Sequence, residues 1–176
     1  MEEYEVWKNV IWFRQFIPRH AFILWLVVQE KLLTQDKMVI WKQNAEYKCV
    51  FCNEFADSHE HLFYKCRYIG EIWKLLSQRF YQMQQVDSLH EVIRILARDK
   101  ENNNLGVVVN RIMVVAAVYY IWQERNARIF RSQERNKEGL SQIIRDSVRT
   151  QLLSIKVRKT RNVEQIADMR GAEMEG

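Results

Sequence analysis

The 176-residue sequence predicts a mainly α-helical protein: a small helical domain with one non-helical insert, followed by a long central helix and a basic amphipathic helix. Three observations carry this. Proline occurs once, where average usage would give roughly nine, and glycine only five times, too few turn-formers for a sandwich or barrel. Apolar residues make up 48% and charged residues 28%, a globular composition that excludes wholesale disorder. Apolar residues recur at helical spacing over most of the chain, except between residues 44 and 66.

The elements follow in order. Pro18 suits a first helical turn, because its missing N–H costs nothing there, and the helix is expected over residues 18–33. Thr34 then reads as an N-cap, with Asp36 in the first turn and Leu33 and Met38 in staple positions. A short second helix should end near residue 42 and bring Met38 and Trp41 to one face. Helix resumes near residue 67, with Ile72, Leu75, Leu76 and Phe80 in register. Ser88–Glu91 forms a capping box, followed by Leu89, Val92, Ile93, Leu96 and Ala97 on one stripe. Residues 105–130 should form the most buried helix. Residues 137–157 form another, with Leu140, Ile144, Val148, Leu152 and Ile155 inward. Residues 164–176 hold little that is apolar and are expected to be disordered.

Membrane and secretory classes fit poorly. The run 21–28 is far shorter than the roughly 20 residues of a spanning helix, and Asn110 and Arg111 interrupt 106–122. The acidic start, Met1 to Glu5, has no apolar signal core, and three cysteines make a poor disulfide framework. An intracellular, reducing setting is the expectation, with nucleus and cytoplasm undistinguished.

All three cysteines lie in the non-helical stretch. Cys49, Cys52, His61 and Cys66 form the pattern C-x2-C-x8-H-x4-C. Zn²⁺ takes four such donors in a tetrahedron; a C-x2-C turn presents two sulfurs to one point, and the His–Cys pair supplies the rest. Three buried free thiols beside two surface histidines would be the plain alternative, but chance seldom gathers every cysteine at ligand spacing. His59 rivals His61, with x6 and x6 gaps; the spacing favours His61. With four protein donors the shell is closed, so one structural Zn²⁺ is expected.

Trp7, residues 17–26, Leu33-Thr34, Trp41, Cys49-Val50-Phe51-Cys52, Asp57-Ser58, His61-Leu62-Phe63-Tyr64-Lys65-Cys66 and Trp73 together resemble the zinc-binding domain that follows the polymerase in plant non-LTR (LINE-type) retrotransposon reverse transcriptases. Residues 119–130 look like the helix that commonly trails it, so the likeness covers roughly residues 6–130. Two departures stand out: Asp57 where the family usually shows Glu, and Glu30-Lys31 where Gly-Arg is more usual. The resemblance implies a zinc-binding domain over 6–83 and a helical extension over 87–161. It assigns the ligand roles to Cys49, Cys52, His61 and Cys66, and implies a module that helps hold nucleic acid near a polymerase. Because the sequence starts almost where that domain does, it reads as a fragment or a decayed or repurposed copy of a longer parent carrying the polymerase domain.

Catalysis is not expected. Polymerase chemistry needs carboxylates holding two metal ions about 4 Å apart, and no two of the six aspartates are neighbours. No phosphate-binding glycine loop or G-x-S-x-G elbow occurs. The zinc reading uses up the one Cys–His pair that could act as a nucleophile, and no small-molecule substrate is implied.

Net charge is +5, a mild basic excess, and residues 124–161 carry eleven basic against four acidic side chains. Arg145, Arg149 and Lys156 align on one stripe, and Arg158, Lys159 and Arg161 follow. These six are the candidate contacts to RNA or DNA phosphates. Trp41, Tyr47, Phe51, Phe63 and Tyr64 could stack on bases, although a mini-core around the metal is the simpler role for Phe51 and Phe63. A helical protein–protein interaction module, built on the apolar run 21–28, is the competing class.

Overall fold

The computed structural model describes residues 2–38, 47–77, 88–98 and 105–154, and the side chains of these from residue 7 onward. Seven α-helices are described: α1 (Glu2–Ile11), α2 (Pro18–Val28), α3 (Gln35–Met38), α4 (Arg67–Ser77), α5 (Leu89–Arg98), α6 (Leu105–Arg131) and α7 (Lys137–Ser154). A single π turn, His61–Lys65, precedes α4. The described residues contain no strand, only an isolated antiparallel bridge between Lys48 and Ala56.

The core is organised around α6, which packs against α1, α2, α5 and α7. Residues 111–118 of α6 are buried without a break, so this stretch has no solvent face. That is the burial a helix apolar on all sides requires. By length and composition α6 is also the one described helix that could cross a membrane; 61% of its apolar window is buried within the fold. On α5, Leu89, Val92, Ile93, Leu96 and Ala97 are buried as the spacing requires, and Ser88 Oγ accepts the Glu91 N–H at 3.2 Å. α7 lays Leu140, Ile144 and Val148 against α6 and α4. Asn136 starts it by accepting the Gly139 N–H through Oδ1 at 2.8 Å, where a Cβ on residue 139 would sit 2.9 Å from that oxygen. Ile155, Trp41, Phe80 and the expected tail lie outside the described residues.

Three local expectations need correction. α1 falls on residues that the sequence reading left without an element, and its end buries Val10 and Ile11. α2 stops at Val28 rather than near residue 33. The Lys31 N–H reaches the Leu26 carbonyl at 2.8 Å and the Glu30 N–H reaches Val27 at 2.9 Å, a Schellman ending with Glu30 in the left-handed position at φ 52°. A β-carbon is disfavoured there by roughly 1–2 kcal/mol. Glu30→Gly should therefore raise stability by about 1 kcal/mol, less any entropy gained by the unfolded chain; an unchanged or lower urea midpoint would contradict this.

The third correction concerns Thr34. It stands in the N-cap position, its carbonyl accepting the Lys37 N–H at 3.1 Å, but its buried hydroxyl lies 3.3 Å from His59 Nδ1 and not on α3; Leu33, the expected staple residue, is exposed. The cap arrives from a distant segment. Asp57 Oδ2 accepts the Gln35 N–H at 2.9 Å, and the Asp57 carbonyl accepts the Asp36 N–H at 3.2 Å.

His20, buried on α2, packs its ring 4.2 Å from Tyr119 and 5.6 Å from Tyr120 of α6. Burial, with the neighbouring Arg19 charge second, pushes its pKa down from 6.5 to about 4. The unfolded chain therefore takes up this proton first as pH falls. The stability that neutral His20 contributes is fully present above pH 6.5 and is lost as pH falls toward 4, by about 3 kcal/mol. His20→Phe should remove that part of the pH dependence in urea unfolding; parallel pH profiles for parent and variant would refute the assignment.

Candidate metal centre

Backbone hydrogen bonds draw the insert into a tight hairpin. The Asp57 N–H donates to the Tyr47 carbonyl at 3.1 Å and the Cys49 N–H to Phe55 at 2.7 Å. The Asn53 N–H returns to the Cys49 carbonyl at 2.8 Å, with Asn53 left-handed at φ 58°. Asparagine tolerates that conformation better than most residues. The turn brings Cys52 back beside Cys49.

Ser58 then starts the next helical segment, accepting the His61 N–H on Oγ at 3.3 Å and the Leu62 N–H on its carbonyl at 2.8 Å. The Cys66 N–H bonds to the His61 carbonyl at 2.8 Å, closing the π turn. An α-helix would turn residues five apart by about 140° from each other. The wider π turn carries the imidazole and the thiol to the same side, the kind of local distortion often found at functional sites.

Cys49, Cys52, His61 and Cys66 thus converge, each offering one donor atom, all within 4.8 Å of one another. Cys49 Sγ and Cys66 Sγ are 3.8 Å apart, and Cys52 Sγ is 3.2 Å from His61 Nε2. Tetrahedral zinc with ordinary bond lengths places two sulfurs about 3.8 Å apart and a sulfur and nitrogen about 3.6 Å apart. Three soft sulfurs and one imidazole are the donor chemistry of such a site, so the group could hold zinc. Cys49, His61 and Cys66 are buried and Cys52 is half-buried.

The Cys66 thiol is pushed down by the hydrogen bond it receives from Cys49; the same bond, with burial, pushes Cys49 up. Burial pushes His61 down, which keeps the imidazole neutral as a ligand must be.

His59 serves elsewhere. Its Nε2 accepts the Leu32 N–H at 3.1 Å and its Nδ1 lies against Thr34, so both ring nitrogens tie the hairpin to the α2–α3 connection. Of the two histidines, His61 joins the cluster.

A second layer encloses the hairpin, and the sequence reading did not find it. Asp57 is fully buried and pairs with Arg125 of α6, itself 2% exposed, through the guanidinium Nη2 and through Nε at 3.2 Å. The Arg125 guanidinium also lies 4.8 Å above the Trp122 ring. Arg128, one turn on, donates to the Val50 carbonyl inside the C-x2-C turn at 3.4 Å and covers the Phe51 and Tyr68 rings at 4.8 and 4.7 Å. Buried Glu124 holds Arg128 at 3.0 Å and Arg135 at 2.8 Å. Glu124–Arg128 was readable as an i, i+4 pair; nothing local links Asp57 to Arg125.

This layer changes the meaning of the basic stretch. Arg125, Arg128 and Arg135 are committed to carboxylates, and Lys137 pairs with Glu71. Arg145 and Arg149 stand exposed on α7, while Lys156, Arg158, Lys159 and Arg161 lie outside the described residues. Among the aromatics, Phe63 is buried and Phe51 stacks parallel on Tyr68 at 5.1 Å, both packing roles. The exposed ring at the hairpin tip is Phe55, 61% accessible and 5.3 Å from His61, which the sequence reading had not singled out.

Fold and site together define a helical protein built around a Cys-Cys-His-Cys group able to hold zinc. Residues 1–73 match the family model described as zinc-binding in reverse transcriptase. The match takes in all four donors and Asp57 and ends inside α4, before α5, α6 and α7. No curated protein and no solved structure matches the chain.

Proposed function

We propose that the protein is a structural zinc module of retrotransposon origin, of the plant LINE type its sequence resembles, and that it assists nucleic-acid binding without catalysing a reaction. Cys49, Cys52, His61 and Cys66 hold one Zn²⁺. The observation that carries this is the convergence of four donors of the right chemistry inside the stretch matched by the zinc-binding family model. Four protein donors leave no position for water or substrate, the mark of a structural rather than a catalytic zinc. The zinc-binding domain occupies 6–83 and the helical extension 87–161. The nucleic acid is RNA template, held beside the polymerase domain of a longer parent. Arg145 and Arg149, exposed on α7 and followed by the basic residues up to Arg161, supply the phosphate contacts.

Elemental analysis of purified protein should return one zinc per chain; protein purified without metal under reducing conditions would remove the metal reading. Single-stranded RNA should bind with an affinity that falls linearly with salt on logarithmic axes. Replacing Arg145 and Arg149 by Gln should flatten that slope by about 1.4, since each lost phosphate contact on a single strand contributes about 0.7. No binding, or a slope unmoved by the substitutions, would remove the nucleic-acid reading.

One observation favours a second reading, a helical protein–protein interaction module. Trp12 and Phe22 are 42% and 50% exposed, and Phe22 stacks on half-buried Trp25 at 5.8 Å. Salt-insensitive association without RNA binding would select it.

A further inference from the structure

We infer that the metal centre extends beyond the family-matched segment: Arg125 and Arg128 of α6 act as positioning residues for it, so that metal affinity and the docking of α6 are coupled. The inference rests on the zinc reading above. It starts from where the two guanidiniums sit. Arg125 holds Asp57, the residue that closes the hairpin through the Tyr47 carbonyl and caps α3. Arg128 donates to Val50, between the first two sulfur donors, and lies over Phe51 in the same turn. The pair therefore fixes the hairpin at its base and at its C-x2-C turn from one helix.

The charges define the kind of role. Three thiolates and a neutral imidazole around Zn²⁺ leave the centre at −1. The enclosing layer has three guanidiniums, Arg125, Arg128 and Arg135, against two carboxylates, Asp57 and Glu124, and so carries +1. Arg135 is half-exposed and partly screened, but Arg125 and Arg128 are not. The excess is therefore Arg135's, while the two buried guanidiniums are balanced by Asp57 and Glu124, so Arg125 and Arg128 act on the centre by position rather than by net charge. Partners of this kind around metal ligands typically change affinity by about 10- to 100-fold when removed.

The test uses the full chain. Zinc affinity is measured by competition with a chromophoric chelator for the parent, Arg128→Met, Arg128→Lys and, as a control remote from the hairpin, Arg94→Met. Arg128→Met should bind zinc about 10- to 100-fold more weakly, with Arg128→Lys between it and the parent and Arg94→Met unchanged. Retained affinity in Arg128→Met overturns the inference. Amide hydrogen exchange of the parent gives a readout that needs no variant. Removing zinc should raise exchange in residues 122–131 of α6 as well as in 47–66; a response confined to 47–66 overturns it. A parent that binds no zinc at all fails the underlying reading instead, so the two failures are separable.

Discussion

Cys66→Ser is expected to leave the purified protein without zinc and to unfold the segment from Tyr47 to Cys66, with melting of the whole domain lowered or lost. The expected effect is large because structural zinc contributes on the order of 10 kcal/mol in modules of this kind, as much as a typical domain's entire stability. Apart from the contacts that Arg125 and Arg128 make from α6, the hairpin has little else to hold it. Its ladder is one isolated bridge, and Phe55, Asn53 and Glu54 at its tip face solvent. Chelation of the parent should reproduce the variant, measured by elemental analysis, circular dichroism and amide exchange. Since thiols must lose their protons to bind the metal, zinc uptake should release protons and weaken as pH falls. An unchanged melting temperature after complete metal removal would show that the donors converge without depending on an ion.

Arg125→Met should destabilise the protein by about 3–5 kcal/mol, the range for removing one partner of a buried ion pair and leaving the other charge uncompensated. Asp57 is fully buried and has further obligations, accepting the Gln35 N–H and supplying its carbonyl to Asp36. Stranding its carboxylate therefore disturbs the start of α3 as well. Asp57→Asn combined with Arg125→Met should be less damaging than the sum of the two single changes, because the pair then leaves together. Urea unfolding of the four proteins gives the coupling energy directly. Additive losses would mean that the pair contributes no mutual stabilisation.

What could be read from the sequence follows the range of the interaction. α5 was legible from the Ser88 capping box and a stripe of five apolar residues, and α6 from an apolar run interrupted only at Asn110 and Arg111. The donor set was legible because ligand spacing is itself short-range. Arg111 shows how such interruptions are accommodated: it is buried and donates to the Leu96 carbonyl near the end of α5 at 3.2 Å.

The misreadings have physical causes too. α2 appeared longer because its left-handed ending is carried by Glu30, not by a glycine that would have advertised it. Thr34 has the composition of a cap, but its hydroxyl lies against His59 while Asp57 does the capping from 22 residues away. Arg125 is one of the eleven basic side chains of residues 124–161, and nothing in its neighbourhood sets it apart. Its partner is 68 positions earlier, and no local rule connects the two.

The π turn carries a consequence for how such a chain can drift. The four residues between His61 and Cys66 are matched to the π winding: gaining one would carry the two donors apart, whereas losing one would leave them four apart, where an ordinary α-helix already brings them to one face. The tip, Asn53 to Phe55, faces solvent, while the backbone bonds of Tyr47, Cys49 and Asp57 fix the residues behind it. Insertions in descendants of this sequence should gather in that outer lip and be rarest between His61 and Cys66.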